Sequence, residues 1–134
     1  MRILQVVHQF LPERVGGTEV YTLGLAKGLV ERGHEVAVFH RAPGPPGLNK
    51  AVWDGIPTYR ACAGPMTSWS VFRANFGNRS LSDALSEALA DFQPNLIHWE
   101  HLMGLPFSLV AQADRKGIPS VMTLHDYWIM CANA

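Results

Sequence analysis

The opening run Met1-Arg-Ile-Leu-Gln-Val-Val-His8, which leads through a loop into Gly16-Gly17-Thr18-Glu19, decides the fold. Ile3 to Val7 reads as a parallel strand covered on both faces. The two glycines stand where a helix begins, with Thr18 as the expected N-cap, so flexible backbone and free helix N–H groups face a place where an anion can sit. Val20, Leu23, Ala26, Leu29 and Val30 recur at helical spacing up to Arg32-Gly33, a cation in the last turn followed by a C′ glycine. Gly24 and Gly28 lie one turn apart in this helix, which predicts a close approach of that face to the sheet or to another backbone.

The same punctuation continues along the chain. Glu35 to His40 reads as a second strand, Pro43 to Gly47 as a breaker cluster, and Ile56 to Ala61 as a third, more exposed strand. Residues 62 to 79 are the least regular part. A helix is expected from Ser80, with Asp83 in its first turn and an apolar stripe of Leu81, Leu85, Ala88, Leu89 and Phe92 that Pro94 stops. Leu96 to His98 is a short fourth strand. Pro106 fits the first turn of a helix running to Lys116, with Gly117 after it, and Ser120 to Leu124 is a fifth, buried strand. Such alternation with short connections predicts an α/β, Rossmann-like three-layer sandwich with right-handed crossovers and five parallel strands in the order 3-2-1-4-5.

Composition narrows the function. The 134 residues, 48% apolar and 16% charged, suffice for one domain over 1–134 with a real core. Eleven basic residues balance eleven acidic ones, without a basic face, which argues against nucleic acid as a partner. Cys62 and Cys131 are far apart and form no CxxC, so no disulfide framework or zinc site is expected. The N-terminal apolar run is too short for a signal peptide, and no stretch approaches the ~20 apolar residues of a membrane span. A cytoplasmic domain is the expectation. The last strand lacks the helix that would cover it, so the chain reads as a piece of something longer.

Polar groups gather at the strand ends. Thr123-Leu-His-Asp126 delivers His125 and Asp126 beyond the fifth strand, on the sheet edge that also carries Gly16 and Gly17. Ligands of open α/β sheets bind there. The loop from His8 to Val15 is too long for a G-x-G-x-x-G turn, which disfavours a nicotinamide or flavin site. His98-Trp99-Glu100-His101 crowds ligand-type side chains together, yet its spacing matches no standard zinc site.

In this order, Met1-Arg-Ile-Leu, Gly16-Gly17-Thr18-Glu19, Arg32-Gly33-His34-Glu35-Val36, Leu96-Ile97-His98 and Thr123-Leu124-His125-Asp126 resemble the N-terminal half of the retaining GT-B glycosyltransferases of group 1, or family 4. The resemblance implies an acceptor-side domain whose C-terminal partner domain, with its paired-glutamate motif, has no counterpart here. It implies a nucleotide-diphosphate sugar as donor, a sugar or lipid-linked acceptor, and neither a covalently bound cofactor nor a metal. Gly16 and Gly17 would approach the donor diphosphate, or else serve only the turn between loop and helix. His125 would contact sugar hydroxyls near the anomeric carbon, or else be a structural histidine, and Asp126 would orient it, bind an acceptor hydroxyl or cap the loop. Glu19, His98, Glu100 and His101 would form the acceptor-side rim, with a surface carboxylate at Glu19 and loop packing at the others as the plainer alternatives. Trp69, Phe72 and Phe76, interleaved with Arg73 and Arg79, form a stripe that is usually core. In family members with lipid-linked acceptors it would face the membrane, placing the protein at the inner face. The competing reading is a stand-alone Rossmann-like or flavodoxin-like ligand-binding module without transferase activity.

Overall fold

A computed structural model describes residues 1–65 and 67–127. Cys131 and the chain end, on which the expectation of a truncated domain rests, lie outside these residues. The elements are β1 (Arg2–Val7), α1 (Gly17–Glu31), β2 (Glu35–Ala42), β3 (Gly47–Trp53), β4 (Ile56–Cys62), α2 (Ser68–Ala74), α3 (Arg79–Phe92), β5 (Leu96–His101), α4 (Ser108–Arg115) and β6 (Ser120–Met122). The sheet order is β3-β4-β2-β1-β5-β6. Its five parallel strands follow the expected order. A sixth strand, β3, was not expected; it runs antiparallel to β4 through the two-residue turn Asp54-Gly55. Both turn residues have positive φ, 49° and 82°, as a hairpin turn matched to strand twist requires.

Strand alternation sorts the core into two faces. Leu4, Val6, Ala37, Phe39, Ile97 and Trp99 point to one side, where they meet Leu81, Leu85, Ala88 and Leu89 of α3 and Leu109 of α4. Val7, Val36 and Val38 point to the other, against Ala26 of α1 with Leu23 and Leu29 at its margin. The strand Ile56–Cys62, expected to be exposed, is mostly buried, because β3 covers its edge and α3 packs over it. Lys50 of β3 and Tyr59 of β4 both reach Asp91 of α3, at 2.6 and 2.5 Å, and fasten that corner.

Helix termini follow local chemistry, with several departures from expectation. Gly16, not Thr18, is the N-cap of α1, with no side-chain cap. At its other end Gly33 has φ +84°, and the His34 and Gly33 N–H groups donate to the carbonyls of Leu29 and Val30, a Schellman closure. Gly24 and Gly28 make no close approach: a Cβ on Gly24 would meet nothing within 4 Å, and one on Gly28 only the Arg32 side chain. Val20 and Val30 are exposed, since the buried stripe of α1 is Glu19, Thr22 and Ala26. Asn78 caps α3 by accepting from the Leu81 N–H, and the helix starts at Arg79, one residue ahead of the expected Ser80. Strand β6 is exposed rather than buried, because no described helix covers that edge.

The loop from Leu102 to Phe107 presses its backbone onto α2. Gly104 has φ +76°, and a Cβ there would lie 2.6 Å from Val71 Cγ1. Gly104→Ala is therefore expected to destabilise the fold by about 2 kcal/mol, from overpacking and a left-handed backbone. Urea unfolding measures it; a change below ~0.5 kcal/mol would mean that the loop yields freely.

Candidate functional site

The carboxyl ends of β1, β5 and β6 bring the expected polar residues together, and a buried carboxylate is their centre. Glu100 lies inside β5 rather than in a loop after it, and its side chain is fully buried. Gln5 Nε2 donates to its Oε1 at 3.2 Å, His98 Nδ1 lies 3.3 Å from the same oxygen, and His125 Nε2 lies 2.9 Å from Oε2. Gln5 and His125 each engage one oxygen, and His98 adds an imidazole at ion-pair distance, which is what a carboxylate withdrawn from water requires. His98 Nε2 also meets Thr123 Oγ1 at 2.8 Å, which joins β5 to the segment after β6.

Because a carboxylate only accepts, it selects the His125 tautomer protonated on Nε2. Nδ1 is then a lone-pair acceptor, and it has no hydrogen-bond partner among the described residues. The Tyr21 ring of α1 stands edge-on to the imidazole, with centroids 4.9 Å apart. The carboxylate that orients His125 is thus Glu100, while Asp126 Oδ2 bonds His101 Nε2 at 2.9 Å. The Met103 N–H donates to His101 Nδ1, so His101 too is held as the Nε2–H tautomer.

His8, the last polar group of the opening run, packs its ring 4.6 Å from that of His101, and its Nε2 lies 3.7 Å from Glu19 Oε1. Glu19, for which a surface carboxylate was the plainer alternative, is buried. Burial, reinforced by the neighbouring His101, lowers the His8 pKa to about 4. His8 and Glu19 also line an open cleft of about 900 Å³, with Glu13, Arg41, Ser68 and Phe72 among its other walls. A smaller pocket beside it is lined by Glu100, His101, Thr123, His125 and Asp126. His8, Tyr21 and Arg41 belong to this region and carried no motif in the sequence. Gln5, a lone amide in an apolar strand, was the available signal.

Gly16 and Gly17 are exposed at the start of α1. A Cβ on Gly16 would collide with Glu19 Oε2 at 2.6 Å, so that glycine has a local steric reason. At Gly17 a Cβ would meet nothing within 4 Å. The stripe Trp69, Phe72 and Phe76 is not core: these side chains are 67%, 52% and 80% exposed, Trp69 stacks on Phe72, Phe76 meets Phe72 edge-on, and of the three Phe72 lines the cleft. The reason is that α2 turns only Ala74 inward. Among the described residues no group of three His, Cys, Asp or Glu has the geometry to hold a metal ion. No described helix is long and apolar enough to cross a membrane.

With this geometry in place, the comparisons with known proteins are informative. The model of Glycosyltransferase Family 4 matches residues 15–131, and the chain belongs to that family. It has the fold of the N-terminal GT-B domain. The sucrose-phosphate synthase of Thermosynechococcus elongatus superposes with a TM-score of 0.66 at 20% identity, covering 97% of this chain and 35% of that one. The E. coli structure described as trehalose-6-phosphate bound with UDP-2-fluoro glucose gives 0.53 at 14% identity, over 91% and 32%. The catalytic domain of Arabidopsis thaliana starch synthase IV, bound to ADP and acarbose, gives 0.51 at 17%, over 90% and 32%. The chain thus spans about a third of the length of these structures. No curated protein sequence matches it.

Two buried histidines set an acid limit on the fold. His8 and the fully buried His40, whose ring lies 5.7 Å from Phe10, both have pKa values lowered from 6.5 to about 4, chiefly by burial. The unfolded chain binds these protons more readily, so the stabilisation is complete above pH ~6.5 and is lost as pH falls toward 4. The melting temperature should fall across that window, and His40→Phe should flatten the fall. A profile unchanged by His40→Phe would show that this histidine does not carry it.

Proposed function

We propose that this domain is the acceptor-side half of a retaining glycosyltransferase. The enzyme moves a glycosyl group from a nucleotide-diphosphate sugar to an acceptor hydroxyl, with a second domain supplying most donor contacts. The observation that carries this reading is the Glu100–His125 pair, whose imidazole keeps Nδ1 unengaged at the carboxyl edge of the sheet. In the reaction the bond from the anomeric carbon to the leaving phosphate breaks and a bond to the acceptor oxygen forms on the same face. The acceptor proton passes to the departing phosphate oxygen. Glu100 is shut from solvent with both oxygens engaged, so it acts as a positioning residue rather than a nucleophile. His125 Nδ1 accepts a hydrogen bond from a sugar hydroxyl close to the reacting carbon, and the carboxylate behind it stabilises positive charge on the ring.

Gly16 and Gly17 would meet the donor diphosphate at the N-terminus of α1. What supports this is that nothing among the described residues requires glycine at 17, whereas an approaching ligand would. The donor would be the only cofactor-like molecule, with no metal. Glu19, His98, Glu100, His101 and Asp126 would shape the acceptor side of the site. The exposed Trp69, Phe72 and Phe76, flanked by Arg73 and Arg79, suit a lipid-linked acceptor met at a membrane surface, and a cytoplasmic enzyme at the inner face fits that chemistry.

Two variants of the full-length enzyme test the reading. His125→Gln keeps an amide N–H for Glu100, so folding should hold while turnover drops ~10²-fold or more. Gly17→Ala should leave stability equal, or raise it by up to ~1 kcal/mol, yet impair transfer by raising the donor KM. A His125→Gln enzyme that melts lower but turns over normally would make the histidine structural. A Gly17→Ala enzyme with an unchanged donor KM would remove the diphosphate from that site.

A further inference from the structure

The cleft holds a cation that nothing in the fold neutralises. Arg41, near the end of β2, is 2% exposed, yet it lines the cleft of about 900 Å³. Its Nη1 donates to the Gly104 carbonyl at 3.4 Å and its Nη2 to Ser70 Oγ at 3.3 Å, both long bonds to neutral acceptors. Its buried Nε–H has no partner. Of the carboxylates on the cleft wall, Glu13 is paired with Arg60 and Glu19 faces His8. No carboxylate among the described residues lies within ion-pair distance of Arg41.

A guanidinium presents five donors in a planar fork and stays charged at any pH the fold survives. Withdrawing it from water without a counter-charge costs several kcal/mol. Such an arrangement persists where a ligand supplies the missing charge. The strand directs Arg41 to the face of the sheet that carries α2, so the fork meets the cleft beside Ser68, Phe72 and Asn75. Glu13 and Glu19 line the same cleft and have partners of their own, so neither supplies the missing charge.

We propose that Arg41 is the head of an anion subsite, and that the acceptor of this enzyme carries a phosphate or carboxylate group seated on it. The acceptor part rests on the transferase reading above; the anion subsite does not. The cleft runs without a break from Arg41 to His8, and the His8 ring packs on His101 beside the Glu100–His125 pair. An acceptor anchored at Arg41 therefore extends its hydroxyls toward the reacting end, while Phe72 offers an apolar wall alongside. Bidentate pairing with the guanidinium fixes orientation as well as charge.

The Arg41 Nε–H resonance reads binding directly by nuclear magnetic resonance, without turnover or donor. Inorganic phosphate, titrated at constant ionic strength against chloride, should shift it saturably. Arg41→Met should weaken phosphate binding at least tenfold and leave the melting temperature equal or higher, since it removes a buried unpaired charge. If Arg41→Met does not fold, Arg41→Lys keeps the charge without the fork and should still weaken binding at least threefold. Glucose 6-phosphate and glucuronate then distinguish the sources: the tighter one names the acceptor's anion. The proposal is overturned if phosphate leaves the Nε–H resonance unmoved, if neither sugar acid binds, or if the variants bind phosphate as the parent does. Because no transfer is measured, a failed titration leaves the transferase reading standing with a neutral acceptor. A failed transfer assay leaves the anion subsite standing.

Discussion

Burial of the Glu100 carboxylate organises this end of the molecule. A carboxylate at that depth is tolerable only with donors on both oxygens, and the fold draws them from Gln5 on β1 and His125 after β6, with His98 of β5 3.3 Å away. Each donor is thereby fixed in direction. The requirement of one buried group links the central strand to the exposed edge strand β6 and sets the imidazole whose other nitrogen faces the site. Replacing Glu100 by an apolar residue would satisfy packing but release all three partners.

The second histidine pair works by a different device. His101 is held between a backbone N–H at Nδ1 and Asp126 at Nε2, and its ring supports His8 across 4.6 Å. Burial keeps His8 neutral at neutral pH. The cleft beside His8 also carries the uncompensated Arg41 on its wall.

Much of the fold was legible because period and punctuation agree. The parallel strands, their order and the Arg32-Gly33 stop all follow from local signals that the core does not override. The antiparallel β3 follows directly on the Pro43–Gly47 breakers, which mask the strong hairpin signal of the Asp54-Gly55 turn. The aromatic stripe at 69, 72 and 76 shows the limit of periodicity, which identifies a common helix face but not what that face meets. At the site, His125, His98, His101 and Glu100 were found from their place at strand ends, but the pairing was not. Which carboxylate serves which histidine depends on strand register, including the irregularity that sets Val7 against His101, and no spacing in the chain encodes it. His8 and Arg41 acquire their meaning only from burial.

The central claim is that His125 offers an unprotonated Nδ1 to the reacting sugar because Glu100 holds the proton on Nε2. Long-range nitrogen–proton correlation spectra of the His125 ring in the full-length enzyme test it most directly. The account predicts that the neutral ring is the Nε2–H tautomer and that its Nδ1 resonance moves when nucleotide sugar and acceptor are added together. An Nδ1–H tautomer, or an Nδ1 resonance that stays in place while transfer proceeds, would contradict it.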